Sequence, residues 1–209
     1  MSSPAVANVR PAAIDPGSDE ALLAHYRYGD EAAFAELYRR HRAGLYRFIH
    51  GLCASAARTD EIFQETWLAL IRSDAMPDGR ARFKTWLYQI ARHRLIDYWR
   101  RDDSAMTEAF DETGYTPPGE DDTRNADTPE TLALRAEQLQ HIGAALETLP
   151  LPQREVFLLR AHAEMEFAEI AALTDTPLEA IKSRYRYALV KLRQRLGARP
   201  PEPELKATP

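Results

Sequence analysis

Apolar residues recur along this chain at steps of three, four and seven, the repeat of one helix face, and runs of strict alternation are few. The pattern predicts a first helix from about Asp19 to Tyr28. Gly29-Asp30 breaks it, and Asp30 is placed to cap the next helix, because its carboxylate can accept from the first free backbone N–H groups. That second helix carries Phe34, Leu37, Tyr38, Leu45, Phe48, Ile49 and Leu52 on one stripe. A third is predicted over Ala57–Arg72, with Ile62, Trp67, Leu68, Leu70 and Ile71 apolar. Pro77 and Gly79 mark "SDAMPDGRAR" as a loop, and a fourth helix covers Arg82–Arg101 with Leu87, Ile90/Ala91, Leu95 and Tyr98 as its core stripe.

The periodicity stops at residues 102–128. This stretch holds Pro-Pro, two glycines and a cluster of acids, and it cannot bury enough apolar surface to offset its chain entropy. Helices resume at Pro129: "PETLALRAEQLQHIGAALETL", then "PLPQREVFLLRAHAE" with Pro152 in its first turn, then two helices split at "TDT". The predicted fold is all-α. Two small helical domains, 18–101 and 129–197, are joined by a flexible linker over 102–128, with disordered ends at 1–17 and 198–209.

Composition adds the chemistry. The apolar fraction is 44%, enough for a core, and no apolar run approaches the ~20 residues of a membrane span. The N-terminal residues lack the charged-then-apolar order of a secretory signal, and one cysteine, Cys53, forms no internal disulfide; a cytoplasmic protein without membrane insertion is expected. Net charge is −5, but it is unevenly spread. Residues 26–101 carry 14 basic and 9 acidic side chains, whereas residues 102–138 carry 2 basic and 11 acidic. Two basic blocks flank an acidic linker, as suits a polyanion binder.

At "TDTPLEAIKSRYRYALVKLRQRL" the turn feeds a strongly started helix. Thr176 and Glu179 have capping-box spacing, Pro177 suits the first position, and Asp175 stands where left-handed backbone is needed. Leu178, Ile181, Tyr185, Ala188 and Leu192 form its buried stripe. Glu179, Lys182, Ser183, Arg184, Arg186 and Tyr187 lie off it, offering groups for base edges and phosphates. With the preceding helix, which buries Phe167, Ile170 and Ala171, this reads as a DNA-binding helix-turn-helix. "RFKTWLYQIARHRLIDYWRR" is different. It gathers six Lys/Arg and five aromatics around one acid. Trp86, Tyr88, His93 and Trp99 fall off the core stripe among Lys84, Arg92, Arg94, Arg100 and Arg101, while Phe83 and Tyr98 read as structural. Rings beside cations suit a single strand, whose bases stack while its phosphates are neutralised. One domain for duplex and one for single strands point to DNA opening at a chosen sequence.

These stretches resemble the extracytoplasmic-function sigma factors of the sigma-70 family. "GDEAAFAELYRRHRAGLYRFI", "TDEIFQETWLALI" and "FKTWLYQIARHRLIDYWRR" look like region 2, and "LPLPQREVFLLRAHAEMEFAEIAALTDTPLEAIKSRYRYALVKLRQRL" looks like region 4. The resemblance implies no catalysis and no cofactor. It implies binding to core RNA polymerase through Asp60, Glu61, Gln64 and Glu65. It implies −10 recognition by the loop 74–82 and the helix after it, through Arg80, Arg82, Lys84, Trp86, Arg92, His93, Arg100 and Arg101. It implies duplex −35 contacts from the off-stripe residues of the last helix, and an anti-sigma factor as partner. Tyr187 and Leu189 depart from the family pattern, which has basic residues there. A stand-alone helix-turn-helix regulator is the alternative reading; a helical scaffold or enzyme with incidental basic faces is a third. His50 and Cys53 lie one turn apart with no second pair, so no metal site is expected.

Overall fold

The structure, a computed structural model, describes residues 17–53, 55–73, 82–101 and 129–197. These residues form eight helices: α1 Asp19–Arg27, α2 Glu31–Cys53, α3 Ala56–Arg72, α4 Phe83–Arg101, α5 Pro129–Glu147, α6 Leu151–His162, α7 Phe167–Thr174 and α8 Leu178–Gly197. The expected disorder over 1–16, 102–128 and 198–209, and most of the loop 74–82, lie outside the described residues.

Local chemistry starts each helix. Ser18 Oγ accepts from the Ala21 N–H at the head of α1. Asp30 Oδ1 accepts from Ala32 and Ala33 at 3.0 and 3.3 Å, the cap its position predicted. Gly29 before it adopts φ +95°, a conformation that glycine enters without a Cβ penalty. The head of α4 is capped from a distance, since the Phe83 N–H donates to Glu20 Oε1 of α1 at 2.8 Å. Asp19 ties α1 to α2, with one carboxylate oxygen 3.0 Å from Arg40 and the other 2.6 Å from His41 Nε2.

The first four helices bury Leu23, Leu37, Leu45, Phe48, Leu70, Phe83, Leu87 and Leu95 together. The last four form around Val156, Leu158, Leu159, Ile170 and Ile181, with a satellite of Ala145, Leu149, Ala188 and Leu192. Both helical units form as expected. A tether does not oblige the units it joins to touch, yet here they dock on one another and their cores are continuous. Helix α6 lies along α2, and α7 meets α4. Two glycines of α2 permit the approach. A Cβ at Gly44 would stand 2.7 Å from the His162 carbonyl oxygen, and one at Gly51 2.7 Å from Leu158 Cδ1. Each glycine costs α2 about 0.5–1 kcal/mol relative to alanine, and close packing is the return.

Burial departs from the apolar pattern at several positions. Leu68 and Ile71 of α3 are 44% and 39% exposed, and Thr59 and Thr66 are buried in their stead, each hydroxyl donating to the carbonyl four residues back. Tyr88, expected off the core, is 1% exposed because α2 and α6 both cover it. Leu178 is 39% exposed at the open start of α8. The capping box forms one helix earlier than expected. The Thr176 N–H is already used by the Ala171 carbonyl, and Glu179 pairs with Lys182. Instead the Glu166 N–H donates to Glu169 Oε2 at 2.8 Å.

Candidate nucleic-acid and polymerase interfaces

On α8 the buried side is Ile181, Ala188 and Leu192, with Tyr185 half-buried between Phe157 and Phe167. This fixes the outward side. Glu179, Lys182, Arg186 and Tyr187 are exposed, and Ser183 and Arg184 are half-buried beside them. Lys182 Nζ sits 2.7 Å from Glu179, the Arg184 guanidinium reaches Thr176 Oγ1 at 3.4 Å, and Arg186 lies over the Tyr187 ring. The turn before α8 is set by Asp175, at φ 49° and ψ 49°, so an Asp takes the left-handed position. The expected off-stripe residues thus share one surface, and α7 holds the helix that carries them.

The α4 candidates divide. Trp86, His93 and Arg100 lie seven residues apart, which keeps them on one helix face to within about 20° per step. His93 and Arg100 are exposed, with Arg101 beside them. Trp86 is half-buried, its ring edge-on to Phe83. Arg92 points elsewhere. Its Nε donates to Glu155 Oε1 of α6 at 2.8 Å, and both side chains are largely covered. Lys84 is half-buried, Arg82 stands 3.6 Å from Glu169 of α7, and Arg80 lies outside the described residues.

Helix α3 presents Asp60, Glu61, Gln64 and Glu65 to solvent. Tyr46 Oη donates to Asp60 at 2.9 Å, Arg58 pairs with Glu61 at 2.9 Å, and Arg94 approaches Glu65 at 3.9 Å. Leu68 and Ile71 continue the same exposed side. Helical periodicity missed them because it assigns apolar residues to the core without knowing which neighbour covers them. An open cleft of about 420 Å³ separates α3 from α4, lined by Glu61 and Glu65 on one wall and Arg94, Tyr98 and Arg101 on the other. The sequence reading also missed Glu155, His162, Gly44 and Gly51. Only the glycine pair left a signal, as a seven-residue spacing inside a helical run.

Cys53 is mostly covered, and burial pushes its thiol up to about 12, so the reactive thiolate is suppressed. Among the described residues, no group of three His, Cys, Asp or Glu side chains could hold a metal ion.

Comparison with known proteins gives the family. Two family models match, Sigma-70 region 2 over residues 37–105 and Sigma-70, region 4 over residues 145–194. The ECF RNA polymerase sigma factor RpoE of Cereibacter sphaeroides is 32% identical over 169 residues, which are 80% of this chain and 88% of that protein. This chain belongs to the ECF RNA polymerase sigma factors. The ECF sigma factor SigX of Bacillus subtilis is 30% identical over 131 residues, 62% of this chain and 66% of its own. Two solved structures share the fold at a TM-score of 0.60. One is the sigma factor RpoE of Bartonella quintana with the anti-sigma factor NepR, at 22% identity over 79% of this chain and 97% of that one. The other is CnrH with the cytosolic domain of CnrY, at 24% over 86% and 97%. Sigma factors are in general non-enzymatic transcription initiation factors. No helix among the described residues is long and apolar enough to cross a membrane.

Proposed function

We propose that this chain is an alternative sigma factor that binds core RNA polymerase, reads the −35 and −10 promoter elements and starts promoter melting, with no reaction of its own. One observation carries the division of labour. The region 4 match ends in a helix with an outward row of Lys182, Ser183, Arg186 and Tyr187, and the region 2 match contains a helix with Trp86, His93 and Arg100 on one face. The first suits a duplex groove, where hydrogen bonds read base edges. The second suits an unpaired strand, held by stacking and charge. Lys84, Arg82, Arg80, Arg92 and Arg101 are assigned to the same −10 strand, and Glu179 and Arg184 to the −35 duplex.

Asp60, Glu61, Gln64 and Glu65 form the polymerase-docking row, and the exposed Leu68 and Ile71 support that role. An acidic row continued by aliphatic side chains suits a protein partner carrying arginines, by charge-assisted pairing around an apolar contact. The free-standing regulator is not favoured, since both sigma regions are present in order. A polymerase and a promoter as partners imply the cytoplasm, which cell fractionation checks. An anti-sigma factor is a further proposed partner, because the structural neighbour RpoE of Bartonella quintana was solved with one. Adding the cognate one should abolish transcription at a one-to-one ratio.

The test is run-off transcription with core polymerase on genomic fragments. Specific transcripts that require this chain are expected. A well-folded chain that directs none would overturn the reading.

A further inference from the structure

We propose that Glu20 of α1 is a positioning residue for promoter melting: it caps the head of α4 and thereby fixes Trp86, the ring assigned to the unpaired −10 strand. The step to DNA rests on the sigma-factor reading; the cap itself does not.

Helix α4 has no cap of its own. Ser18 and Asp30 start α1 and α2 from the position just before each helix. The residues before Phe83 are Arg80, Ala81 and Arg82, whose side chains cannot accept a hydrogen bond, and the first turn of α4 holds no acid. Arg82 and Lys84 also stand at the helix end whose dipole disfavours cations. Both are assigned to the −10 strand, so the charges that suit DNA weaken the start of the helix that carries them. Glu20 supplies what is missing. Its Oε1 accepts the Phe83 N–H at 2.8 Å from 63 positions away, and it brings a negative charge to the positive end of α4.

The head of α1 is itself fastened to α2. Arg40 donates to the Gly17 carbonyl at 2.8 Å and to Asp19 at 3.0 Å, and His41 Nε2 lies 2.6 Å from the other Asp19 oxygen. Residues 17–20 thus grip α2 on one side and α4 on the other. The His41 ring lies 5.3 Å from the ring of Phe83, which is fully buried, and Trp86 is edge-on to Phe83 at 6.3 Å. The Trp86 N–H makes the first bond of the helical ladder, to the Arg82 carbonyl at 3.1 Å. Backbone and ring of Trp86 therefore both take their place from the turn that Glu20 closes. Fraying of that turn would let the ring leave the face it shares with His93 and Arg100. A ring held in place before the strand arrives loses less freedom on stacking, which favours the melted state.

Three variants separate the acceptor from the charge. Glu20→Gln keeps the acceptor oxygen and drops the charge, Glu20→Asp keeps the charge one methylene too short, and Glu20→Ala drops both. Amide exchange by NMR on the free full-length chain reports the cap at Phe83 and Trp86. Permanganate footprinting of the reconstituted holoenzyme, on a promoter returned by run-off transcription, reports melting, and DNase I protection of the −35 element reports α8. In Glu20→Ala and Glu20→Asp the two amides should exchange about five-fold faster, the fold-change of a lost cap, and open complexes should fall by a similar factor. Protection at −35 should not change, and Glu20→Gln should follow wild type in every reading. Unchanged exchange in Glu20→Ala, faster exchange with normal melting, Glu20→Gln as impaired as Glu20→Ala, or a parallel loss of −35 protection would each overturn the proposal. If Glu20→Ala does not fold, Glu20→Asp carries the same readings. The exchange arm needs neither promoter nor polymerase. Faster exchange in a chain that directs no transcript would remove the sigma-factor reading and the melting role with it, and leave the cap; unchanged exchange with normal transcription would remove the cap alone.

Discussion

Trp86 has two jobs to reconcile, since its ring packs edge-on against Phe83 and also belongs to the face that includes His93 and Arg100. Trp86→Ala should lower open-complex formation well below its effect on −35 binding. Permanganate footprinting of the reconstituted holoenzyme checks this, and normal melting by a folded variant would remove the stacking role. His162 makes a separate prediction. Burial, and then the nearby Arg47 charge, lower its pKa from 6.5 to about 4, so the folded chain favours neutral imidazole. A lowered folded pKa gives stability that is present above about pH 6.5 and is lost as pH falls toward 4. The melting temperature should therefore fall between pH 7 and pH 4.5, and less steeply in His162→Gln. An equal slope in that variant would assign the effect to other groups. The residue types at Trp86, Lys182 and Arg186 were legible in sequence because their chemistry is carried by the side chain itself. The setting of His162 was not, since a lone histidine at a helix end says nothing of what will cover it.

Helix ends were readable where the cap is local. Asp30 does what its position predicts, and Asp30→Ala should cost about 0.5–2 kcal/mol, measurable by urea denaturation. Asp175 takes the left-handed turn residue's place, so Asp175→Val should destabilise by roughly 1–2 kcal/mol while Asp175→Gly is tolerated. Equal loss in both would point to the carboxylate rather than the backbone. The Thr176–Glu179 box failed because the same N–H was wanted by two helices, and the Ala171 carbonyl took it. On α3 the sequence named the apolar residues without saying which of them face the core. Leu68 and Ile71 have the spacing of core residues, but nothing among the described residues covers them, and they extend the row beginning at Asp60 and Glu61.

Across the whole molecule the two units share one buried cluster, running from Leu23 and Phe48 through Leu158 to Ile181. A shared core couples their unfolding. Differential scanning calorimetry of the free chain should show one cooperative transition, and Glu155→Ala should begin to separate it into two. Two resolved transitions in the wild type would mean that the interface contributes little to either unit. By itself the sequence determined the helices, the two basic blocks around an acidic stretch, the family, and the side chains proposed to meet DNA and polymerase. All of these rest on local periodicity, local charge and residue type. Tertiary structure alone decided that α6 lies in the glycine groove of α2, that Tyr88 is core and that Arg92 faces Glu155. Those facts join residues forty or more positions apart, and no repeat in the chain encodes which distant surface will cover a given face.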